Sequence, residues 1–329
     1  RVWPQLFEKF PEGMVVCNAP SAIICFTHQA QVQESTRRNV DKANTWMQRA
    51  CDAVHGGVQQ INPEELVYGE EVGEGEFGLV YKGIFRGRQC AIKRLKKGIG
   101  KVHEQYQSIL REISVLARVG YHPNVVEFLG AVVGDESTSP IIVEEFVGKL
   151  NLRDFLFSKP LGFNLGFHKV RQWSLDILSA LEHLHGLDPV VIHRDVKPAN
   201  LLITPDRRTL KLSDFGLSKL ATSDVPPPPR ALARSNSRLH SINIGTARYS
   251  APEVYYPITL QSAPEVKPYI GYDEKVDIYS AALVIWYMLT GLPPSCNAEL
   301  DPSARPDAAP ARRRSEGLAG LLERMWDAD

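Results

Sequence analysis

His193-Arg194-Asp195-Val196-Lys197-Pro198-Ala199-Asn200-Leu201-Leu202 is the stretch on which the reading of this chain turns. It sets a carboxylate, an amine and a carboxamide close together, between the apolar runs Val190-Val191-Ile192 and Leu201-Leu202-Ile203. Those side chains suit phosphoryl transfer, which asks little covalent chemistry of a protein. It needs an aligned nucleophile, neutralised charge and a held metal. In that reading Asp195 takes or orients the proton of the attacking hydroxyl. Lys197 neutralises charge on the moving phosphoryl, and Asn200 holds a Mg²⁺ through its side-chain oxygen. Taken alone, the same residues could be a polar loop between two apolar segments, so the flanking chain decides.

Upstream, Leu66 to Val72 reads as a strand that runs directly into Gly73-Glu74-Gly75-Glu76-Phe77-Gly78. A lone G-x-G-x-x-G is a weak signal, shared with dinucleotide-binding folds. A dinucleotide turn opens a helix and expects an acidic residue about twenty positions on. Here the strand-like Val80-Tyr81-Lys82-Gly83-Ile84-Phe85 follows, then Cys90-Ala91-Ile92-Lys93 after a turn at Gly87. The glycines therefore sit in a hairpin that can close its backbone amides over phosphates, the use protein kinases make of the motif. Lys93 would contact the α and β phosphates and needs a carboxylate to hold it. The helical run from about Glu104 to Arg118 offers Glu112, on one face with Val115, Leu116 and Val119. Glu104 and Arg111 compete for that face. His122-Pro123-Asn124 ends the helix, and Val125 to Val133 reads as strand.

With Asp214-Phe215-Gly216 and Ala251-Pro252-Glu253 added, the motifs fall in the order found in protein kinases. From about Leu66 to its end the chain resembles a eukaryotic protein kinase. Phe128-Leu129-Gly130, Asp277-Ile278-Tyr279-Ser280 and Met325-Trp326-Asp327 look like the tyrosine-kinase-like group of serine/threonine kinases. The resemblance implies an α+β, two-lobed protein kinase fold. Its β-rich N-lobe, with one key helix, covers about 66–147, and its mainly helical C-lobe about 148–329. It implies ATP and Mg²⁺ as substrate and cofactor, with Asp195, Lys197, Lys93 and Glu112 catalytic and Asn200 and Asp214 on the metal. The nucleotide would meet Gly73, Glu74, Gly75, Glu76, Phe77 and Gly78, with Val80, Ala91 and Leu202 sandwiching the base. Glu145, Phe146 and Val147 would form the hinge that meets adenine through backbone groups. Phe215 would lie beneath the helix carrying Glu112, and Asp277 would cap the backbone of the catalytic loop. Lys197, two after the catalytic aspartate, and Gly245-Thr246-Ala247-Arg248-Tyr249 imply Ser or Thr acceptors on protein substrates. One departure stands out: Glu144 falls where the family has an uncharged side chain, and a buried charge is costly unless paired.

The segment between Asp214 and Glu253 is long and contains Pro226 to Pro229, a stiff polyproline stretch. Ser235, Ser237 and Ser241 follow it, the latter two each with an arginine three residues earlier. In kinases Arg194 is the usual partner of an activation-segment phosphate, so phosphorylation here, by an upstream kinase or by the chain itself, would order the loop. Ser262-Ala263-Pro264-Glu265-Val266 echoes Ser250-Ala251-Pro252-Glu253-Val254 and reads as an insertion. Pro293 to Arg314 reads as loop, Glu316 to Trp326 as helix. Kinases of this group continue past the last tryptophan into a Pro-X-X-Arg-Pro whose arginine pairs with the acid of Ala-Pro-Glu. The sequence stops at Asp329, which reads as a truncated kinase and not a degenerate one. The alternative, for which Glu144 and the missing tail argue and against which the intact catalytic set argues, is a pseudokinase that binds nucleotide and partners without turnover.

Composition is consistent with a soluble globular protein: 329 residues, 43% apolar, 23% charged and a formal net charge of zero. A balanced charge implies no broad field for nucleic acid. Cys17, Cys25, Cys51, Cys90 and Cys296 form no CxxC pair, which suits a reducing compartment such as the cytoplasm. The apolar run from Met14 to Phe26 is broken by Asn18 and Pro20 and is too short to span a bilayer. Residues 1–61 read as an extension of unknown role. It is partly helical, with Val40, Ala43, Met47, Ala50 and Val54 on one face.

Overall fold

The first layer is an antiparallel sheet of β1 (Leu66–Gly75), β2 (Gly78–Phe85), β3 (Arg88–Leu95), β4 (Phe128–Val132) and β5 (Ile141–Glu145), the last two carrying continuous apolar runs. The computed structural model describes residues 58–75, 78–95, 102–133, 140–221, 248–252, 254, 273–295, 303 and 305–326. Contacts divide the chain into Arg1–Asp52 and Ala53–Asp329, and all described residues belong to the second unit. The helical stretch expected before residue 57, the polyproline run and the activation-segment serines lie outside the described residues.

Strand order in the sheet is β1-β2-β3-β5-β4. β1 and β2 meet at Gly75 opposite Gly78, so the glycine stretch is a hairpin and not a strand-to-helix turn. α1 (Val102–Val119) lies between β3 and β4, and its inward face buries Ile109, Glu112, Ile113, Leu116 and Val119. The strand expected over Val125 to Val133 begins only at Phe128. Before it, Val125 makes a bridge to Leu212 in the lower layer, and Val126 donates to the Leu212 carbonyl at 2.9 Å. That segment therefore serves the second layer before the chain turns into the sheet.

The second layer is helical: α2 (Leu152–Phe157), α3 (Phe167–His185), α4 (Lys275–Thr290), α5 (Ala309–Arg314) and α6 (Glu316–Met325). α4 is buried on almost every side, as its nearly uninterrupted apolar sequence requires. Two small ribbons pair β6 (Val190–Ile192) with β9 (Lys219–Ala221), and β7 (Leu201–Ile203) with β8 (Leu210–Leu212). A β-rich layer followed by helices is the two-lobed architecture expected. Within Pro293 to Arg314, read as loop, the structure forms α5. Pro310 sits in its first turn, where a missing N–H costs nothing.

Residues 58–65 join the upper layer too. Ile61 N–H donates to Ala131 O at 2.9 Å, and Ala131 N–H donates to Gln59 O at 3.0 Å, so the segment lies along the β4 edge. Ile61 enters the same core cluster as Cys90, Ile92 and Val143. Gly130 makes room for this strap at φ +144°, where an added Cβ would stand 2.4 Å from Gln59 O.

Candidate active site

The cleft between the layers collects the motifs from distant parts of the chain. In the sheet, register places Val80 opposite Lys93, Lys93 opposite Ile142, and Ala91 opposite Glu144. Directly paired residues share a face of the sheet, so Val80, Ala91, Lys93 and Glu144 line one side together. Gly73, Glu74 and Gly75 run opposite Val80, Leu79 and Gly78, so the glycine strand borders the same region. Glu76 and Phe77 lie outside the described residues. Leu202, on β7, is half-buried in the lower lobe.

Lys93 Nζ donates to Glu112 Oε1 at 2.6 Å and stands 3.4 Å from Asp214 Oδ1. Glu112, and not its neighbour Arg111, thus meets the lysine, and it is 3% exposed; the Glu104 side chain lies outside the described residues. A buried ion pair is tolerable only when each charge is answered. Burial works against the Lys93 charge, but Glu112, Asp214 and Glu144 outweigh it and hold the ammonium protonated well above the usual lysine range. Burial also works to raise the Asp214 pKa, yet Lys93, His193 and Lys197 prevail and keep its carboxylate ionised below the usual value.

The floor of the cleft is the loop from His193 to Asn200. Asp195 Oδ2 is 2.7 Å from Lys197 Nζ and accepts from Asn200 Nδ2 at 2.9 Å. Asn200 Nδ2 also donates to the Asp195 carbonyl at 2.9 Å, which locks the loop on itself. Among the described residues, Asp195 Oδ1 is buried with no hydrogen-bond partner. Burial raises the Asp195 pKa, with Lys197 pulling against it. An orphaned carboxylate oxygen in a buried site is a poised proton acceptor.

Arg194 and Asp214 both hold positive φ, at 65°, an uncommon conformation for residues with side chains. The surroundings of Arg194 explain how it is maintained. Asp277, fully buried at the start of α4, accepts from Arg194 N–H at 2.7 Å and from His193 N–H at 2.8 Å. His185 Nε2 lies 2.9 Å from the same carboxylate. The Asp277 cap expected from the resemblance is therefore present, and His185, which the sequence reading missed, completes it. Arg194 Nε donates to the Leu217 carbonyl, tying the His193–Asn200 loop to the chain after Asp214. Phe215 is buried, with its ring edge-on to His193 at 4.9 Å.

The metal-binding expectation fits the donors present. The Asn200 amide nitrogen is spent on Asp195, which leaves its amide oxygen for a cation. The Ser213 N–H donates to Asn200 O at 2.9 Å and brings the next residue, Asp214, alongside. A hard divalent ion such as Mg²⁺ takes an amide and a carboxylate oxygen of this kind.

The hinge residues are arranged unequally. Glu145 N–H donates to Glu127 O at 2.9 Å, and the Glu145 side chain accepts from Glu127 N–H and pairs with Lys211 of β8. Glu145 thus serves the back of the hinge, and its N–H is unavailable to a base. Phe146 carries the Lys82 ammonium 5.1 Å above its ring, and Val147 is buried. Glu127 and Lys211 were missed in the sequence. Glu127 meets Glu145 through its backbone and Lys211 meets it through its ammonium, contacts that topology alone brings together. Ser235, Ser237, Ser241 and Glu253 lie outside the described residues.

Among the described residues, no helix is long and apolar enough to cross a membrane. Comparison with known families matches the protein kinase domain over residues 66–326. The chain is 31% identical over 281 residues to the serine/threonine-protein kinase VIK of Arabidopsis thaliana, covering 82% of this chain and 58% of that protein. It is 31% identical to the Arabidopsis thaliana serine/threonine-protein kinase 12, covering 81% of this chain and 53% of the relative. Similarity extends to the dual specificity protein kinase shkC of Dictyostelium discoideum, 30% identical, with 83% and 50% covered. The chain thus spans only about half the length of these relatives.

Proposed function

The chain belongs to the protein kinase family, and on that premise we propose that it transfers the γ-phosphoryl of ATP to Ser and Thr hydroxyls of protein substrates. The observation that carries this reading is the Asp195 carboxylate, one oxygen held by Lys197 and Asn200 and the other buried without a partner among the described residues. In the proposed mechanism, Asp195 Oδ1 accepts the proton of the substrate hydroxyl as its oxygen attacks the γ-phosphorus. The bond from that phosphorus to the β,γ-bridging oxygen breaks, and ADP leaves with the electron pair. Lys197 neutralises charge on the moving group, and Lys93, fixed by Glu112, orients the α and β phosphates. Asn200 and Asp214 would hold Mg²⁺, which supplies charge neutralisation on the phosphate oxygens when bound. Gly73 to Gly78 would cover the phosphates, and Val80, Ala91, Leu202 and residues 145–147 would enclose the base.

The preference for Ser and Thr is supported by Lys197 and its contact with Asp195, the tyrosine-kinase-like assignment by Phe128-Leu129-Gly130 and Asp277-Ile278-Tyr279-Ser280. Regulation of signalling through phosphorylation at Ser235, Ser237 or Ser241, and residence in the cytoplasm, belong to the same proposal. Arg194 supports the first, since its loop is tied to Leu217 ahead of that segment. The test is incubation with labelled ATP, Mg²⁺ and a generic protein acceptor, followed by analysis of the phosphoamino acids. Phosphoserine and phosphothreonine are expected, and phosphotyrosine alone would overturn the specificity.

A further inference from the structure

The proposed mechanism leaves one acidic side chain of the cleft without a task. Glu144 ends β5 just before the hinge, opposite Ala91 of β3 and Phe128 of β4. It therefore shares the cleft-lining face with Val80, Ala91 and Lys93, whereas Glu145, next in the strand, points to the other face and Lys211. The charged groups around Glu144 are Lys93 from β3, Glu112 from α1, Asp214 after β8 and Glu145 beside it. Lys93 is already held by Glu112 at 2.6 Å, with Asp214 at 3.4 Å. Among the described residues, none donates a hydrogen bond to the Glu144 carboxyl. Burial pushes its pKa up to about 7, with Lys93 opposing and Glu112 and Asp214 reinforcing.

We propose that Glu144 is a specificity-determining residue of the nucleotide site, its carboxyl selecting a purine that presents an exocyclic amine to the back of the cleft over one that presents a carbonyl. The proposal rests on the reading of residues 145–147 as the base-binding hinge, because Glu144 adjoins them in the strand. An ionised carboxylate only accepts hydrogen bonds. It welcomes an amino group and repels the lone pairs of a carbonyl. A site built around a hydrogen bond rejects the partner that leaves it unpaired far more strongly than an apolar wall does. A protonated carboxyl can donate to the carbonyl instead, so discrimination widens as pH rises through neutrality.

Adenosine and inosine differ in this respect and need no metal, so their binding to the chain by calorimetry is the test. The parent, Glu144→Thr and Glu144→Gln are compared at about pH 6 and about pH 8, on either side of neutrality. The parent is expected to prefer adenosine more strongly at the higher pH. Glu144→Thr should narrow the preference by roughly tenfold, the worth of a hydrogen bond to a charged group. Glu144→Gln, nearly isosteric and spared the risk of misfolding, should retain no pH dependence of the ratio. One ratio and one pH dependence in all three proteins would overturn the proposal. A parent that binds neither nucleoside would instead overturn the base-binding hinge itself, and this proposal with it.

Discussion

Asp195 is the residue whose environment decides most. Lys197 and Asn200 fix one of its oxygens, and the other is buried without a hydrogen-bond partner among the described residues. Asp195→Asn should lower transfer by roughly 10²–10⁴-fold, the usual worth of a general base, while nucleotide binding persists. Burial raises the pKa of this carboxyl, so its base form is lost at a higher pH than for an ordinary aspartate. The acid limb of the rate profile should accordingly lie above the ordinary aspartate value, as steady-state rates against pH would show. The same sign holds for stability. With the folded pKa above the unfolded one, ionised Asp195 costs stability at neutral pH, and that cost shrinks as pH falls. Glu112→Ala removes one partner of a buried pair, and such losses cost about 3–5 kcal/mol. Asp214, 3.4 Å from Lys93, should hold the loss to the lower end, as denaturant unfolding would measure. These residues were legible in sequence because their types and spacing are dictated by chemistry. Glu112 was legible for a second reason, that the helix period put it among apolar residues. Glu127, Lys211 and His185 carry no such pattern, because each meets its partner only through the folded topology.

At the scale of elements, two joints hold the site in shape. One is the N-terminal turn of α4, where Asp277 answers two backbone N–H groups and a histidine. Asp277→Ala would leave those donors buried and unmet, at about 1–3 kcal/mol for each backbone group. The expected result is a lower midpoint of chemical unfolding together with loss of transfer. Asp277→Asn, which keeps one acceptor oxygen, should lose less. The other joint is the strap from Val58 to Ile61 on the β4 edge. Gly130→Ala should destabilise by about 1–3 kcal/mol, the cost of a forbidden backbone conformation, with the 2.4 Å clash against Gln59 added. Thermal unfolding of that variant tests the strap without touching the cleft. The strap escaped sequence reading because a few residues along a sheet edge show neither strand alternation nor helix period. α5 escaped because Pro310 and Pro306 read as breakers, although a proline in the first turn is compatible with a helix. The glycine hairpin was legible because strands on both sides excluded the alternative.

At the scale of the whole molecule, two layers meet along one cleft, and in the proposed function each contributes half of a phosphoryl-transfer site. The sheet brings Lys93 and the face on which Glu144 lies, the helical layer brings Asp195 and Asn200, and Asp214 reaches Lys93 across the junction. A second junction lies behind the hinge, where Lys211 of β8 pairs with Glu145 of β5. This division was legible from the order of motifs, since the glycine stretch and Lys93 precede residues 145–147 and the His193–Asn200 loop and Asp214 follow them. The central claim is that the assembled cleft transfers phosphate with Asp195 as its base. The most direct measurement is intact mass before and after incubation with Mg-ATP, with Asp195→Asn alongside. Added phosphates on the parent and none on the variant are the predicted result, with peptide mapping asked whether Ser235, Ser237 or Ser241 received them. Equal phosphate gain by Asp195→Asn, or a parent that binds ATP and phosphorylates neither itself nor an added acceptor, would contradict the account.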